Sequence, residues 1–203
     1  KGNEGLLKDH PKLNKLLIWN KKKSKYSSLK KLTIQIRANE YDVLINLQRF
    51  ASSGILTTSS KAKMKIGFAK NPFSFAFTHK FPHKIDANIH EVDRNLSLIK
   101  HLTDSEFQRP VLYPSQTDFD KISHYKSGSY YCIAPSSVWF TKQFPEKKWV
   151  ELIDSFNSDR KIYLLGSPAD IDLCAAIKSK SLHGNVHILA GELTLLQSAA
   201  LMQ

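Results

Sequence analysis

The stretch Ala134-Pro135-Ser136-Ser137-Val138-Trp139-Phe140-Thr141-Lys142-Gln143-Phe144-Pro145 puts two hydroxyls and a cation between an apolar run and a proline. Ser136 and Ser137 offer hydroxyls and backbone N–H groups, and Lys142 offers positive charge. That set can hold a diphosphate, whose negative charge grows as a sugar–phosphate bond breaks. The same residues also make an ordinary polar loop, and pattern alone does not separate the two. Two further stretches invite the same question. In Leu164-Leu165-Gly166-Ser167-Pro168-Ala169-Asp170, Gly166 permits a close backbone approach and Ser167 can cap a helix, with or without a ligand. In Leu189-Ala190-Gly191-Glu192-Leu193-Thr194, Glu192 can accept hydrogen bonds from ribose hydroxyls and Leu193 can lie against a base. A plain turn with an exposed carboxylate is the alternative.

The first half holds a second group. Asn46-Leu47-Gln48-Arg49 ends an apolar run, with Ser52 and Ser53 at the helix start that follows. His90 and Arg94 are four residues apart, which on a helix places them on one face. They can meet the phosphate or carboxylate of an acceptor, or simply pair with Glu91 and Asp93. His79 and His83 suggest a metal, but no third ligand has suitable spacing, and Lys80 and Lys84 repel a cation. We expect no metal site. P-loop, Rossmann glycine and Cys-x-x-Cys patterns are absent from the sequence.

These residues need elements to position them. Apolar runs are read as strands at 13–19, 41–47, 64–68, 130–134, 162–165 and 186–189. Helical periodicity covers Ser27 to Asn39, with Leu29, Leu32 and Ile36 on one stripe, and the set Ile89, Val92, Leu96 and Ile99. A helix opening at Pro145 carries a stripe of Trp149, Leu152, Ile153 and Phe156. Thr194 and Gln197 have capping-box spacing. Strand–helix alternation implies an α/β fold with parallel sheets. The three stretches of the second series each leave a consecutive strand, so they should line one edge of one sheet, where ligands bind in such folds. The segment from Arg109 to Gly128 reads as the boundary between a first domain, 1–115, and a second, 116–203, although 118–125 can be helical.

The chain has 203 residues, 41% of them hydrophobic, enough to bury a core. Its net charge of +12 predicts an anionic partner or a solvated basic surface. Cys132 and Cys174 read as two buried thiols rather than a disulfide. With no apolar run of about 18 residues and no signal peptide, we expect a cytoplasmic protein. Lys1 is not a natural start and Gln203 falls inside a helical pattern, so the chain is expected to be part of a longer protein.

In order and spacing these landmarks resemble the ADP-heptose:lipopolysaccharide heptosyltransferases of glycosyltransferase family nine, over nearly the whole chain. Residues 41–48 are similar to the family's "YDxxIDLQ" strand, Lys65-Ile66-Gly67-Phe68 to its "RIGF" strand and 90–95 to its "HxVDRN" helix. The wording Ser-Ser-Val-Trp-Phe-Thr-Lys-Gln is closer to a Bacteroidetes-like branch. The resemblance implies a GT-B fold: two Rossmann-like domains facing across a cleft, both incomplete here, the first for the acceptor and the second for the donor. It implies that Ser136, Ser137 and Lys142 hold the donor diphosphate, that Glu192 and Leu193 sit near the adenosine, and that Gln48, Arg49 and Arg94 face the acceptor. The reaction it implies is an inverting, metal-independent transfer of heptose from ADP-heptose to the lipid A-linked inner core of lipopolysaccharide, with no cofactor. The positive surface would suit such an acceptor and the anionic inner face of the cytoplasmic membrane. The resemblance also places the general-base Asp ahead of Lys1 and an Asn/Asp-Ser/Thr-Gly-x-x-His donor motif beyond Gln203, so the chain by itself is expected to be inactive. Two other readings stay open. One is a non-catalytic module for an anionic polymer, against which stands the lack of any nucleic-acid motif. The other is a GT-B-fold nucleotide-sugar epimerase.

Overall fold

The computed structural model of the chain describes residues 3–86, 88–104 and 106–203. They form two compact units, one of Leu17–Val111 and one that joins residues 3–16 to Leu112–Gln203. The division falls a few residues ahead of the expected 115/116 boundary. Residues 3–16 lie with the second unit, where the ring of His10 meets Tyr113 edge-on at 4.6 Å.

In the first unit, helix α1 (Lys21–Ala38) leads into strand β1 (Val43–Asn46), helix α2 (Ala51–Ser59), strand β2 (Met64–Phe68), strand β3 (His79–Phe81) and helix α3 (Glu91–Leu96). The sheet is parallel in the order β1-β2-β3. Its core is the wholly buried set Ile66, Phe68 and Leu98. A Cβ on Gly67 would come within 2.5 Å of the Phe77 ring, so only glycine fits that point of β2. Three expectations are corrected here. Residues 13–19 form no strand: they have no ladder partner among the described residues, and Leu13 and Ile18 stay exposed. β3 has no counterpart among the strands expected from the sequence. The helix expected from Ile89 to Ile99 is only six residues long, and its neighbourhood is buried through Leu98 rather than Ile89.

In the second unit, helix α4 (Gln116–Ile122) precedes strand β4 (Tyr130–Ile133), helix α5 (Glu146–Asp154), strand β5 (Lys161–Leu164), helix α6 (Ile171–Lys180), strand β6 (Val186–Ile188) and helix α7 (Leu195–Met202). The sheet is parallel, in the order β4-β5-β6. Successive residues of β5 enter opposite cores, as the two-residue period of a strand requires. Ile162 and Leu164 pack with Ile153 of α5 and with Cys174 and Ile177 of α6. Tyr163 and Leu165 pack with Ile122 of α4 and with Ala200 and Leu201 of α7. The sheet is therefore covered on both faces, which explains its nearly continuous apolar strands. Leu152, expected in the buried stripe of α5, is 38% exposed, while Ile153 is fully buried. Both cysteines are free thiols. Among the described residues no helix is long and apolar enough to cross a membrane.

Candidate functional site

The second unit gathers its chemistry at the carboxyl ends of β4, β5 and β6. The ladder runs on past each strand: Leu165 N–H donates to Ile133 O at 2.7 Å, Leu189 N–H to Leu164 O at 2.9 Å and Gly191 N–H to Gly166 O at 3.0 Å. Three successive strand-to-helix loops are thereby held side by side. Gly191 has φ of +79°, and a Cβ there would stand 3.2 Å from Pro168 Cα, so a side chain at this point of the third loop is strained and presses on the second. A Cβ on Gly166 would meet Asp170 Cβ at 2.8 Å.

Asp170 is the hub. Its Oδ2 accepts from Ser167 N–H and from Ser167 Oγ, both at 2.7 Å. The Ser167 hydroxyl, opposed by partial burial and aided by the Ser167 N–H and the Ser136 hydroxyl, holds its carboxyl below the usual range. Gly166 and Ser167 thus come together at the Asp170 carboxylate, with Ser136 near it and Gly191 tied to Gly166 through its N–H. Asp170 was not among the expected site residues. The signal for it was Ser167-Pro168-Ala169-Asp170, which has capping-box spacing.

The other expected donor residues are placed differently. Ser137 accepts from Trp139 N–H at 3.3 Å, and its carbonyl accepts from Gln143 Nε2 at 2.8 Å, which ties the loop to itself. Lys142 ends a 3-10 turn, Phe140–Lys142, that is exposed, and its ammonium makes no hydrogen bond or ion pair. Glu192 is exposed and accepts from the Tyr125 hydroxyl at 3.3 Å. Burial first, and then the Glu192 carboxylate, push that phenol upward. Leu193 is half-buried in the core with Ile122 and Leu189, so only part of it remains for a ligand.

In the first unit, Gln48, Arg49 and Arg94 line one pocket of ≈ 360 Å³ with His83 and Glu91. Asn71 builds its rim. This residue is 2% exposed, and its Nδ2 donates to Gln48 O and Phe50 O, each at 3.0 Å. Asn46 fixes the same loop, accepting from Gln48 N–H at 2.9 Å. Arg94 is not on a solvated face: its side chain is 12% exposed, and Nη2 pairs with Glu91 at 2.5 Å. Arg94 Nε and His83 Nδ1 are both buried without a partner. Arg49 has only a contact of its guanidinium with the Phe50 ring at 5.6 Å. Two guanidinium groups against one carboxylate leave the pocket positive, which suits an anion.

His90 and Ser52 do not join this group. His90 is the N-cap of α3, accepting from Val92 N–H through Nδ1 at 3.2 Å, and so it does not share a helix face with Arg94. Ser52 is in the first turn of α2, outside the pocket lining. His79 stacks on His101 at 5.2 Å and His83 meets Phe68 edge-on at 4.7 Å. Among the described residues no three His, Cys, Asp or Glu side chains gather as metal ligands would.

Comparison with known proteins bears on both groups. The family model for glycosyltransferase family 9 (heptosyltransferase) matches residues 29–203. Lipopolysaccharide heptosyltransferase 1 of Campylobacter coli is 29% identical over 107 residues, 51% of this chain and 31% of that protein. Among solved structures, a family 9 glycosyl transferase from Veillonella parvula superposes with a TM-score of 0.82 at 17% identity, over 98% of this chain and 60% of that one. E. coli heptosyltransferase WaaC with ADP-2-deoxy-2-fluoro heptose gives 0.59 at 20% identity, over 87% of this chain and 57% of that one. E. coli ADP-heptose lps heptosyltransferase II gives 0.63 at 14%, again over 87% and 57%. The chain spans between a third and three-fifths of the length of these relatives. At such identities the structures speak for the fold, two Rossmann-like halves with parallel sheets. The family match covers far more than half of the sequence, and on it the chain belongs to glycosyltransferase family 9, the heptosyltransferases.

Proposed function

We propose that the protein is an inverting glycosyltransferase that moves heptose from ADP-heptose to the lipid A-linked inner core of lipopolysaccharide. The observation that carries this is the joining of three consecutive strand-to-helix loops at the carboxyl edge of β4-β5-β6, in a chain of this family. Donor-bound relatives point the same way, since WaaC carries an ADP-heptose analogue.

The two ends of the donor would meet different chemistry. Ser167 N–H and Oγ already donate to Asp170, so these groups are not free for phosphate. An ionised carboxylate also repels a diphosphate. Asp170 with Gly166 and Gly191 therefore suits the hydroxyl-bearing part of the donor, accepting hydrogen bonds from it. The diphosphate falls to Ser137, the N–H groups of its loop and the unpaired Lys142. There a cation stabilises charge as the bond from the anomeric carbon to phosphate breaks. The acceptor hydroxyl forms its bond to that carbon from the opposite face, giving its proton to a general base as ADP leaves with the electron pair of the broken anomeric C–O bond. The Gln48–Arg49–Arg94 pocket would hold an anionic group of the acceptor. No metal or cofactor enters this scheme.

Lys142→Ala tests it. Loss of one charge-assisted contact should lower transfer from ADP-heptose by about 10- to 100-fold. The fold should be intact by circular dichroism, because Lys142 is exposed and unpaired. Unchanged transfer would remove Lys142 from the mechanism.

A further inference from the structure

Between Ser137 and Lys142 the second unit displays a tip of apolar side chains. Val138 is 97% exposed, Trp139 66% and Phe140 85%. Three such residues in a row gain nothing by packing within their own unit, and large apolar surface left in water marks a contact still to be made. The tip is nevertheless a built structure. Trp139 N–H donates to the Ser137 hydroxyl at 3.3 Å, Trp139 O accepts from Lys142 N–H at 2.9 Å, and Phe140 O accepts from Gln143 N–H at 3.0 Å. Gln143 Nε2 closes the turn on Ser137 O at 2.8 Å. The indole of Trp139 is therefore carried by a backbone that is hydrogen-bonded on one side to Ser137 and on the other to Lys142. Among the described residues it makes no hydrogen bond or ring contact of its own.

What covers the tip follows from these two neighbours, and the inference rests on the reading of Ser137 and Lys142 as the diphosphate site. The sugar of a nucleotide sugar is bonded directly to its diphosphate, so the sugar ring has to lie close to both residues. Chain order agrees with the order of parts in the donor. Ser136 helps hold the Asp170 carboxylate, which suits ribose; Ser137 follows; the aromatic tip comes next. The chemistry of the tip then selects the sugar. An aromatic face is negative, so it repels phosphate and attracts the positive C–H edges of a saturated ring. A pyranose presents such C–H bonds beside its hydroxyls, and the indole N–H is a donor for one of those hydroxyls. Adenine also stacks on aromatic rings, but it lies at the far end of the donor from the anomeric carbon. We propose that Trp139 stacks on the ring of the donor sugar, so that the protein holds the whole nucleotide sugar more tightly than the free nucleotide.

Calorimetric titration of the wild-type protein with ADP and with ADP-heptose tests this. Trp139→Ala should weaken ADP-heptose binding about 3- to 10-fold and leave ADP binding unchanged. Trp139→Phe keeps a flat ring and should recover most of the loss. Phe75→Ala, at a ring 76% exposed in the first unit, should change neither. Fluorescence gives a second readout, because Trp139 is exposed while Trp19 and Trp149 are half-buried. The emission should shift to the blue with ADP-heptose and not with ADP, and the shift should vanish in Trp139→Phe. Circular dichroism checks that each variant is folded. Equal losses for ADP and ADP-heptose, or no loss for either, overturn the proposal and leave the diphosphate reading in place wherever ADP still binds. Failure of ADP to bind the wild type overturns both. If Trp139→Ala instead removes a self-association seen by analytical ultracentrifugation, and the sugar adds no affinity, a second copy of the chain covers the tip and the proposal falls.

Discussion

Asp170 is where sequence, local structure and chemistry meet in a single side chain. It closes a capping box with Ser167, and the Ser136 hydroxyl of the neighbouring loop helps hold its carboxyl below the usual range. Its carboxyl is held below the ordinary aspartate value, so ionised Asp170 stabilises the fold at pH above about 3.9 and loses that contribution as pH falls through the lowered folded value. Asp170→Asn should therefore lower Tm at neutral pH and reduce its fall in acid, read from thermal melts between about pH 2 and pH 7. If the variant melts with the wild-type pH profile, Asp170 is not the hub described. Asn71 has the same standing in the first unit, where it donates to two loop carbonyls and accepts from Phe73 N–H at 3.0 Å. Asn71→Ala leaves the part-buried carbonyls of Gln48 and Phe50 without that donor. It should cost about 1–3 kcal/mol in denaturant unfolding. It should also loosen Gln48 and Arg49. Neither Asn71 nor Asp170 is conspicuous in the sequence, because each binds backbone or neighbours that become close only once the loops are formed. The pairing of His90 with Arg94 misled for the opposite reason: the spacing is helical, but the helix begins one residue after His90.

Among elements, legibility followed apolar content. β4, β5 and β6 were visible because both faces of their sheet are covered, so the strands read as nearly continuous apolar runs, interrupted in β6 by His187. The box of Thr194 and Gln197 at the start of α7 was visible from spacing alone, and Thr194 N–H donates to Gln197 Oε1 at 3.0 Å. β3 was not visible: His79-Lys80-Phe81 has no apolar pattern, and its identity as a strand comes from pairing with Ile66, Gly67 and Phe68. Residues 13–19 show the converse, an apolar pattern without a neighbouring strand to complete its ladder. Gly191 is the element-scale point most sensitive to substitution. Gly191→Ala must bear a positive φ and press its Cβ on the Pro168 backbone, so it should destabilise the second unit by about 1–3 kcal/mol and separate two of the three loops. Unfolding at the wild-type denaturant midpoint would show that the loops are not joined there. Ile153→Ala, at a wholly buried position of α5, should cost about 2–5 kcal/mol in the same measurement.

At the scale of the molecule, two parallel sheets each carry a group of polar residues at a loop edge, and the two groups differ in character. One centres on a carboxylate with a free lysine nearby in sequence, and the other is a positive pocket. That contrast is what a donor with hydroxyls and an acceptor with an anionic group would require. Net charge alone could announce an anionic partner but could not distribute it, since the pocket and Lys142 both draw on the same excess of lysine and arginine. Family motifs distributed it better, because they tie particular residues to particular strands. The central claim, that the nucleotide lies across the three loops of the second unit, is tested by titrating ADP into isotopically labelled protein and following backbone amide shifts. The account predicts that the amides that move lie in residues 134–142, 166–170 and 190–193. Shifts confined to the Gln48–Arg49–Arg94 pocket, or none at all at millimolar ADP, would contradict it.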